Sequence, residues 1–314
     1  MKQKTFAKVL SLALAALMLF ALCACGAAET PAAEPTAVPA ADAPASESPA
    51  ETEAPAESQG VLDQIKADGV LYVTLSPDFA PMEFVDSSKD GQEQYVGFDV
   101  TLAKYIADYI GVNLVIEPMS FDACQTAVYT GSVPMSISGY SWTEERGENY
   151  EISDYYYAGD NETEQVILIK KTDADKYTSA EDFSGVDVGA QNASLQMNLL
   201  TSQLPDANPV TIGDLGVGVL ELQNGSIEAL AVAKGNAEMI LDSNPDLMIC
   251  SWEFEVAAEY EANVILITKG ETALLNTVNE ALAKAYADGL YGTWYDDAVA
   301  LAKSENAAEV SVED

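Results

Sequence analysis

The stretch Phe98-Asp-Val-Thr-Leu-Ala-Lys-Tyr-Ile-Ala-Asp-Tyr-Ile-Gly-Val-Asn-Leu-Val-Ile-Glu117 decides the fold. Its first part places apolar residues at 98, 102, 103, 106, 109 and 110. That spacing is one face of a 3.6-residue period, so it predicts a helix. Asp99 stands where an N-cap is expected, and Gly111 where a helix stops. Directly after it, Asn113 to Glu117 reads as a strand rich in β-branched residues. Upstream, Val70 to Leu75 is another strand.

The alternation continues outward. A helix is expected over Asp122 to Thr130, ended by Gly131, then a short strand at Met135 to Ser138. Further strands are read at Val166 to Ile169, Val186 to Val188, Val210 to Ile212, Ile227 to Val232 and Val264 to Thr268. Thr272 to Tyr286 has strong helical spacing. Alternating strands and helices predict an α/β fold with largely parallel sheets. Some 255 residues without an internal repeat suit two α/β lobes better than one sheet.

The N-terminus reads as an address. Lys2, Lys4 and Lys8 precede an apolar run, Val9 to Leu22. The run fits a signal-peptide core and is short for a membrane span. It ends in Leu22-Cys-Ala-Cys-Gly26, which resembles a bacterial lipobox with Cys25 as the acylated residue. Residues 1–24 are then the signal peptide. Acyl chains would hold a soluble domain on a bilayer without a spanning helix. Residues 25–59 form the lipidated Cys and a tether. Ala27 to Gln59 holds twelve Ala, six Pro, seven acids and no base, so it cannot build a core.

Composition excludes several functions. The 314 residues carry 14 Lys+Arg against 51 Asp+Glu, net −37. Such a chain is a poor general nucleic-acid binder, because phosphate neutralisation needs bases. With no His anywhere, Ser-His-Asp and Cys-His nucleophiles and the usual zinc sets are absent. No cofactor and no metal are expected. Cys124 and Cys250 are expected as two unpaired, buried thiols.

One base stands apart. Arg146 is the only arginine beside 13 lysines. A guanidinium offers a planar fork of donors that matches a carboxylate. Ser141-Trp-Thr-Glu144 fits a capping box, so a helix start is expected beside it. Helix-start N–H groups add favourable potential for an anion.

The order of these segments resembles the bacterial extracellular solute-binding proteins of family 3, which serve ATP-driven importers of polar amino acids. The carrying residues are Phe79-Ala-Pro-Met-Glu-Phe84, Val96-Gly-Phe-Asp-Val100, Phe121-Asp122, Ser138-Gly-Tyr-Ser-Trp-Thr-Glu-Glu-Arg146 and Ser153-Asp-Tyr-Tyr-Tyr157. The second half adds Val188-Gly-Ala-Gln-Asn-Ala-Ser-Leu-Gln196, Leu222 to Ala229 and Asp288-Gly-Leu-Tyr-Gly-Thr-Trp294. The resemblance covers 60–303. It implies a two-lobed, periplasmic-binding-protein-like fold of the type II, Venus flytrap kind. The chain would cross between lobes near 158–164 and again near 259–263. Lobe 1 would be 60–160 plus 264–314, and lobe 2 would be 161–263.

Matched by position, the resemblance assigns the carboxylate Arg to Arg146 and the clamp to Ser138, Gly139 and Ser141. Phe79 and Phe121 fall on the aromatics that sandwich a ligand side chain. Gln191 and Ser194 fall on the second-lobe loop that closes over the ligand. The family's ammonium-receiving Asp falls on Ala233, and its first-lobe Asp on Ser76. Pro134 also stands where the family usually has Asp. Glu83 and Asp99 are candidates for the displaced ammonium role.

The implied function is capture of an amino acid or related small carboxylate by hinge closure. The implied partners are ABC permease subunits, with membrane attachment through lipid, and a monomer is expected. Two alternatives belong to other classes: a sensory solute-binding partner without transport, and a dehydratase-like enzyme on the same fold. Without His, the enzyme would need Glu83 or Glu144 as acid or base.

Overall fold

In the computed structural model, residues 60–157, 159, 164–260, 262–304 and 307–308 are described. The expected signal peptide, Cys25 and the tether lie outside them, as does most of the first expected crossing. The described residues fall in one unit, Glu57–Asp314.

Strand β1 (Val70–Leu75) pairs in parallel with β5 (Asn113–Pro118) on one side and β6 (Met135–Ser141) on the other. The sheet continues through β13 (Asn263–Ile267) to β7 (Glu151–Ile152), giving the order β5-β1-β6-β13-β7. A second five-stranded sheet has the order β10-β9-β11-β8-β12. Its strands are β8 (Gln165–Lys170), β9 (Asp187–Gln191), β10 (Asn208–Ile212), β11 (Ala229–Ala233) and β12 (Leu247–Ile249). A small sheet joins β2 (Asp78–Phe79), β3 (Glu83–Asp86), β4 (Tyr95–Val96) and β14 (Ala307–Ala308).

The sheets are mixed, not wholly parallel. β13 runs antiparallel to β6, and β8 antiparallel to β11. Each of these two strands is the first after the chain passes from one five-stranded sheet to the other. A chain arriving from the opposite lobe enters its new sheet at the facing end and runs away from it. Asn263, the first residue of β13, pairs with Ser141, the last of β6.

Both faces of each sheet are covered, which is why the strands read as continuous apolar runs. On one face of the first sheet, Leu71, Val73 and Leu75 pack with Phe98, Leu102 and Ile106 of α2 (Phe98–Ile110). Leu274, Val278 and Leu282 of α8 (Thr272–Ala287) join that core. On the other face, Tyr140 and Leu266 pack with Cys124 and Val128 of α3 (Phe121–Tyr129). In the second sheet, Ile167 and Ile169 meet Leu199 and Leu200 of α5 (Leu195–Gln203). Val166 and Leu168 meet Leu215, Val219 and Leu222 of α6 (Leu215–Asn224) on the reverse face. Cys124 and Cys250 are unpaired and buried. Burial pushes their thiols up to about 12 and about 11.

Two local readings are corrected. The N-cap of α2 is Gly97, not Asp99. Gly97 has φ +122, and a Cβ there would lie 2.3 Å from the Met82 carbonyl oxygen, so only glycine fits. Asp99 is instead in the first turn, fully buried, with its carboxylate turned to β6. The helix after Ser141 is α4 (Glu144–Asn149), and its cap is Thr143. Ser141 is still strand.

Candidate functional site

The floor of the site is the C-terminal end of β6, buried over its whole length. Ser138 Oγ donates to Glu83 Oε1 at 2.5 Å and accepts from the Ser76 N–H at 3.0 Å. The Gly139 N–H donates to Asp99 Oδ2 at 2.8 Å. Gly139 has φ +53, and a Cβ there would stand 2.8 Å from Phe79 Cε1. The glycine thus lets the Phe79 ring lie flat on the strand end.

Arg146 projects from α4 and is 4% exposed. Thr143 Oγ1 accepts from the Arg146 N–H at 3.2 Å and starts the helix. All three guanidinium nitrogens donate. Nε donates to Gln125 Oε1 at 3.2 Å, and Nη1 to the Ser141 carbonyl at 2.6 Å. Nη2 donates to the Ala193 carbonyl at 2.9 Å. Its carbon lies 5.0 Å from the Tyr140 ring centre and 5.7 Å from that of Phe121. Carbonyls and aromatic faces offset the cost of burying a cation without neutralising its charge.

The second lobe supplies the loop after β9. Gln191 Nε2 donates to Asp78 Oδ2 at 2.9 Å. Ala193 has φ +57, rare for a residue with a Cβ. Ser194 caps α5, accepting from the Met197 N–H at 3.1 Å. Its hydroxyl is therefore used by the helix, and the next residues, Leu195 and Gln196, face the cavity. Gln196 Nε2 donates to Gln165 Oε1 at 2.6 Å, at the start of β8.

Seven of the eight expected ligand-binding residues line one cavity: Phe79, Phe121, Ser138, Gly139, Ser141, Arg146 and Gln191. Ser194 stands one residue behind its wall. The two lobes touch around this cavity, which encloses about 20 Å³, room for about one water. A wider polar recess of about 380 Å³ lies on the outer side of Arg146, lined by Asp122, Gln125 and Thr143 from one lobe and Asn192 and Asn198 from the other.

Glu83 and Asp99 are fully buried beneath this floor and do not line the cavity. Glu83 Oε2 and Asp99 Oδ1 meet no hydrogen-bond donor, and their other oxygens are held by Ser138 and by Gly139 and Tyr156. Two neighbouring acids buried away from water disfavour carrying both charges at once. Burial, then the neighbouring Asp99, pushes Glu83 well above the usual carboxylate range. Burial pushes Asp99 up to about 7, against the Gly139 N–H and the Tyr156 hydroxyl that donate to it. Ala233 ends β11, is buried, and precedes α7 (Lys234–Ser243) as its N-cap.

Sequence reasoning missed Asp78 and Gln125. Asp78 adjoins Phe79 but carries no motif of its own. Gln125 sits one turn after Phe121 on α3, a spacing that places both on one face. Only the folded pairing shows that it reaches Arg146.

The family model of bacterial extracellular solute-binding proteins, family 3, matches residues 71–298. A probable histidine-binding protein of Campylobacter jejuni subsp. jejuni is 26% identical over 223 residues, covering 71% of this chain and 82% of that protein. The L-cystine-binding protein TcyJ of Escherichia coli K12 is 25% identical over 232 residues, covering 74% and 83%. Among solved structures, an amino acid ABC transporter substrate-binding protein from Streptococcus pneumoniae bound to L-arginine superposes with TM-score 0.71 at 30% identity. It covers 80% of this chain and 100% of its own. All three relatives are binding proteins. Among the described residues, no helix is long and apolar enough to cross a membrane.

Proposed function

The chain belongs to the bacterial extracellular solute-binding proteins, family 3, and from that premise we propose that it captures an amino acid or a related small carboxylate outside the cytoplasm for an ABC importer. One observation carries the reading: the only arginine of the chain is buried at the junction of two lobes, inside a cavity walled by two phenylalanines. A carboxylate entering there would take the guanidinium fork now held by the Ser141 and Ala193 carbonyls. That exchange replaces neutral acceptors by a charged one, which strengthens each bond. The relatives' binding of histidine, cystine and arginine supports an amino acid as the solute.

Capture proceeds by closure of lobe 2 (161–263) onto lobe 1 (60–160 and 264–314). The solute favours the closed state through contacts to both lobes. Phe79 and Phe121 cover its apolar part, and the Ser138-Gly139 floor and Gln191 meet its polar part. Cys25 would carry the lipid that holds the monomer at the membrane beside its permease.

The test is calorimetry with wild type and Arg146→Gln against a panel of amino acids and small carboxylates. Binding by wild type that is weakened about 100-fold or more in the variant is expected. Equal affinity in both would remove the clamp from this reading.

A further inference from the structure

We propose that Asp78 is a positioning residue for capture: it latches lobe 2 onto lobe 1 and so sets how long a bound solute is held. The inference rests on the capture reading for its consequence, but not for its geometry.

Asp78 lies on β2 in the first lobe and is 1% exposed. Its Oδ1 accepts from Ser76 Oγ at 2.8 Å within its own lobe. Its Oδ2 faces the other lobe, accepting from Gln191 Nε2 at 2.9 Å and from the Leu215 N–H at 2.8 Å. Leu215 is the first residue of α6, a ten-residue helix. The first N–H groups of a helix have no partner within it, and that end carries partial positive charge. Asp214 of the second lobe caps the same end by accepting from the Val217 N–H at 3.0 Å. Two acids, one from each lobe, therefore serve a single helix end.

Other contacts across the cleft differ in kind, among them a long neutral bond of 3.4 Å from the Gln125 amide to the Ala193 carbonyl. The Asn192 amide reaches Asp122 at 2.9 Å, at an exposed rim. The Asn236 amide reaches the Ala80 carbonyl at 3.3 Å, a longer neutral bond. Arg146 reaches the Ala193 carbonyl through the same fork that a solute carboxylate would take. Asp78 combines near-complete burial with two donors from the other lobe, one of them a backbone N–H that does not line the cavity. Its neighbour Phe79 packs against the cores of both lobes, which shields the bonds from water.

When the lobes part, Leu215 N–H and Gln191 leave Asp78, and water replaces them. The latch therefore counts only in the closed state. Apparent affinity scales with the population of the competent state. A solute first meets an open cleft, so its entry depends little on Asp78, whereas its escape requires the latch to break.

Small-angle scattering and amide hydrogen exchange on the purified protein, with no solute added, test the latch directly. The series is wild type, the near-isosteric Asp78→Asn, Asp78→Ala and Asp122→Asn. Asp78→Ala is expected to enlarge the radius of gyration and to speed exchange at the start of α6 about 10-fold or more. Asp78→Asn should fall between it and wild type, and Asp122→Asn should match wild type. A cycle of Asp78→Ala with Gln191→Ala should show coupling in the same scattering signal. With any solute that wild type binds, Asp78→Asn should raise the dissociation rate about 10-fold and leave association within about 2-fold. Unchanged scattering and exchange in both Asp78 variants overturn the latch. So does a loss confined to cationic solutes, which would make Asp78 a ligand contact. If wild type binds no solute the capture reading fails, while scattering and exchange still decide the latch.

Discussion

Arg146 of the first lobe and Ala193 of the second are joined across the cleft by a 2.9 Å bond from Nη2 to the carbonyl oxygen. Ala193 holds a left-handed backbone, φ +57, to aim that carbonyl. For a residue with a Cβ this conformation costs about 1–2 kcal/mol. Strain of this kind persists where surrounding structure determines it, and here it accompanies the one buried guanidinium. The carbonyl helps to hold the guanidinium in place.

Arg146→Lys tests whether shape matters beyond charge. A lysine keeps the cation but cannot reach Gln125, Ser141 and Ala193 together, as the guanidinium does. Affinity for a carboxylate solute should fall about 10- to 100-fold, because a point charge replaces a bidentate fork. Titration calorimetry reads the loss. Affinity within 2-fold of wild type would mean that the solute does not use the fork.

Gly139→Ala should destabilise the fold and disturb the cleft together. The position needs φ +53, and the added Cβ would stand 2.8 Å from Phe79 Cε1. Backbone strain alone is worth about 1–2 kcal/mol. Displacing the ring adds to it, so the melting temperature should fall by several degrees. Phe79→Leu combined with Gly139→Ala should recover part of the loss, since the clash is with the ring. Full additivity in thermal melts would deny that the two residues meet.

The architecture was legible because strand and helix periods survive in the chain. Phe98–Ile110 and Thr272–Ala287 are long, strongly periodic helices and match their readings closely. The end of β6 was not legible: the strand runs on through Ser141, three residues past its expected end. Gly139-Tyr-Ser141 lacks a run of β-branched residues, and its pairing with the distant β13 makes it strand. Asp99 fits a cap by pattern but is drawn to the Gly139 N–H and the Tyr156 hydroxyl, tertiary contacts that no local rule anticipates. Seven of the expected ligand-binding residues line one cavity, since their motifs sit at strand ends and helix starts that face each other. Asp78 escaped notice because its partners, Gln191 and Leu215, lie more than a hundred residues away.

Ala233 offers a gain-of-function test. It is the N-cap of α7 and makes no side-chain cap bond. Aspartate is a favoured N-cap, so Ala233→Asp should stabilise the protein by roughly 1 kcal/mol. A carboxylate there should also favour solutes with an α-ammonium group, because a buried ammonium needs a counter-charge. Thermal shifts with paired α-amino acids and their deamino analogues read both effects. Loss of stability together with unchanged selectivity would show that position 233 is remote from the solute.

The Glu83–Asp99 pair sets a pH dependence whose sign can be worked out. Burial raises Asp99 to about 7 when folded, against an ordinary value of 3.8, and raises Glu83 well above its own. The folded state therefore holds more protons than the unfolded state between about pH 4 and 7. Stability falls wherever the native state binds more protons and pH rises. The pair's contribution is fully present below about pH 4 and is lost as pH climbs through 7. Asp86 and Asp182 are shifted the other way by the hydrogen bonds they accept, as is Asp122, where burial opposes those bonds without overcoming them, and their contribution is lost only below about pH 4. Between pH 5 and 8 the buried pair should thus lower the melting temperature as pH rises. Glu83→Gln keeps an acceptor for Ser138 and supplies a permanent donor toward Asp99, so its melting temperature should vary less over that range. Parallel pH profiles for wild type and Glu83→Gln would mean that no proton is shared between the two carboxyls.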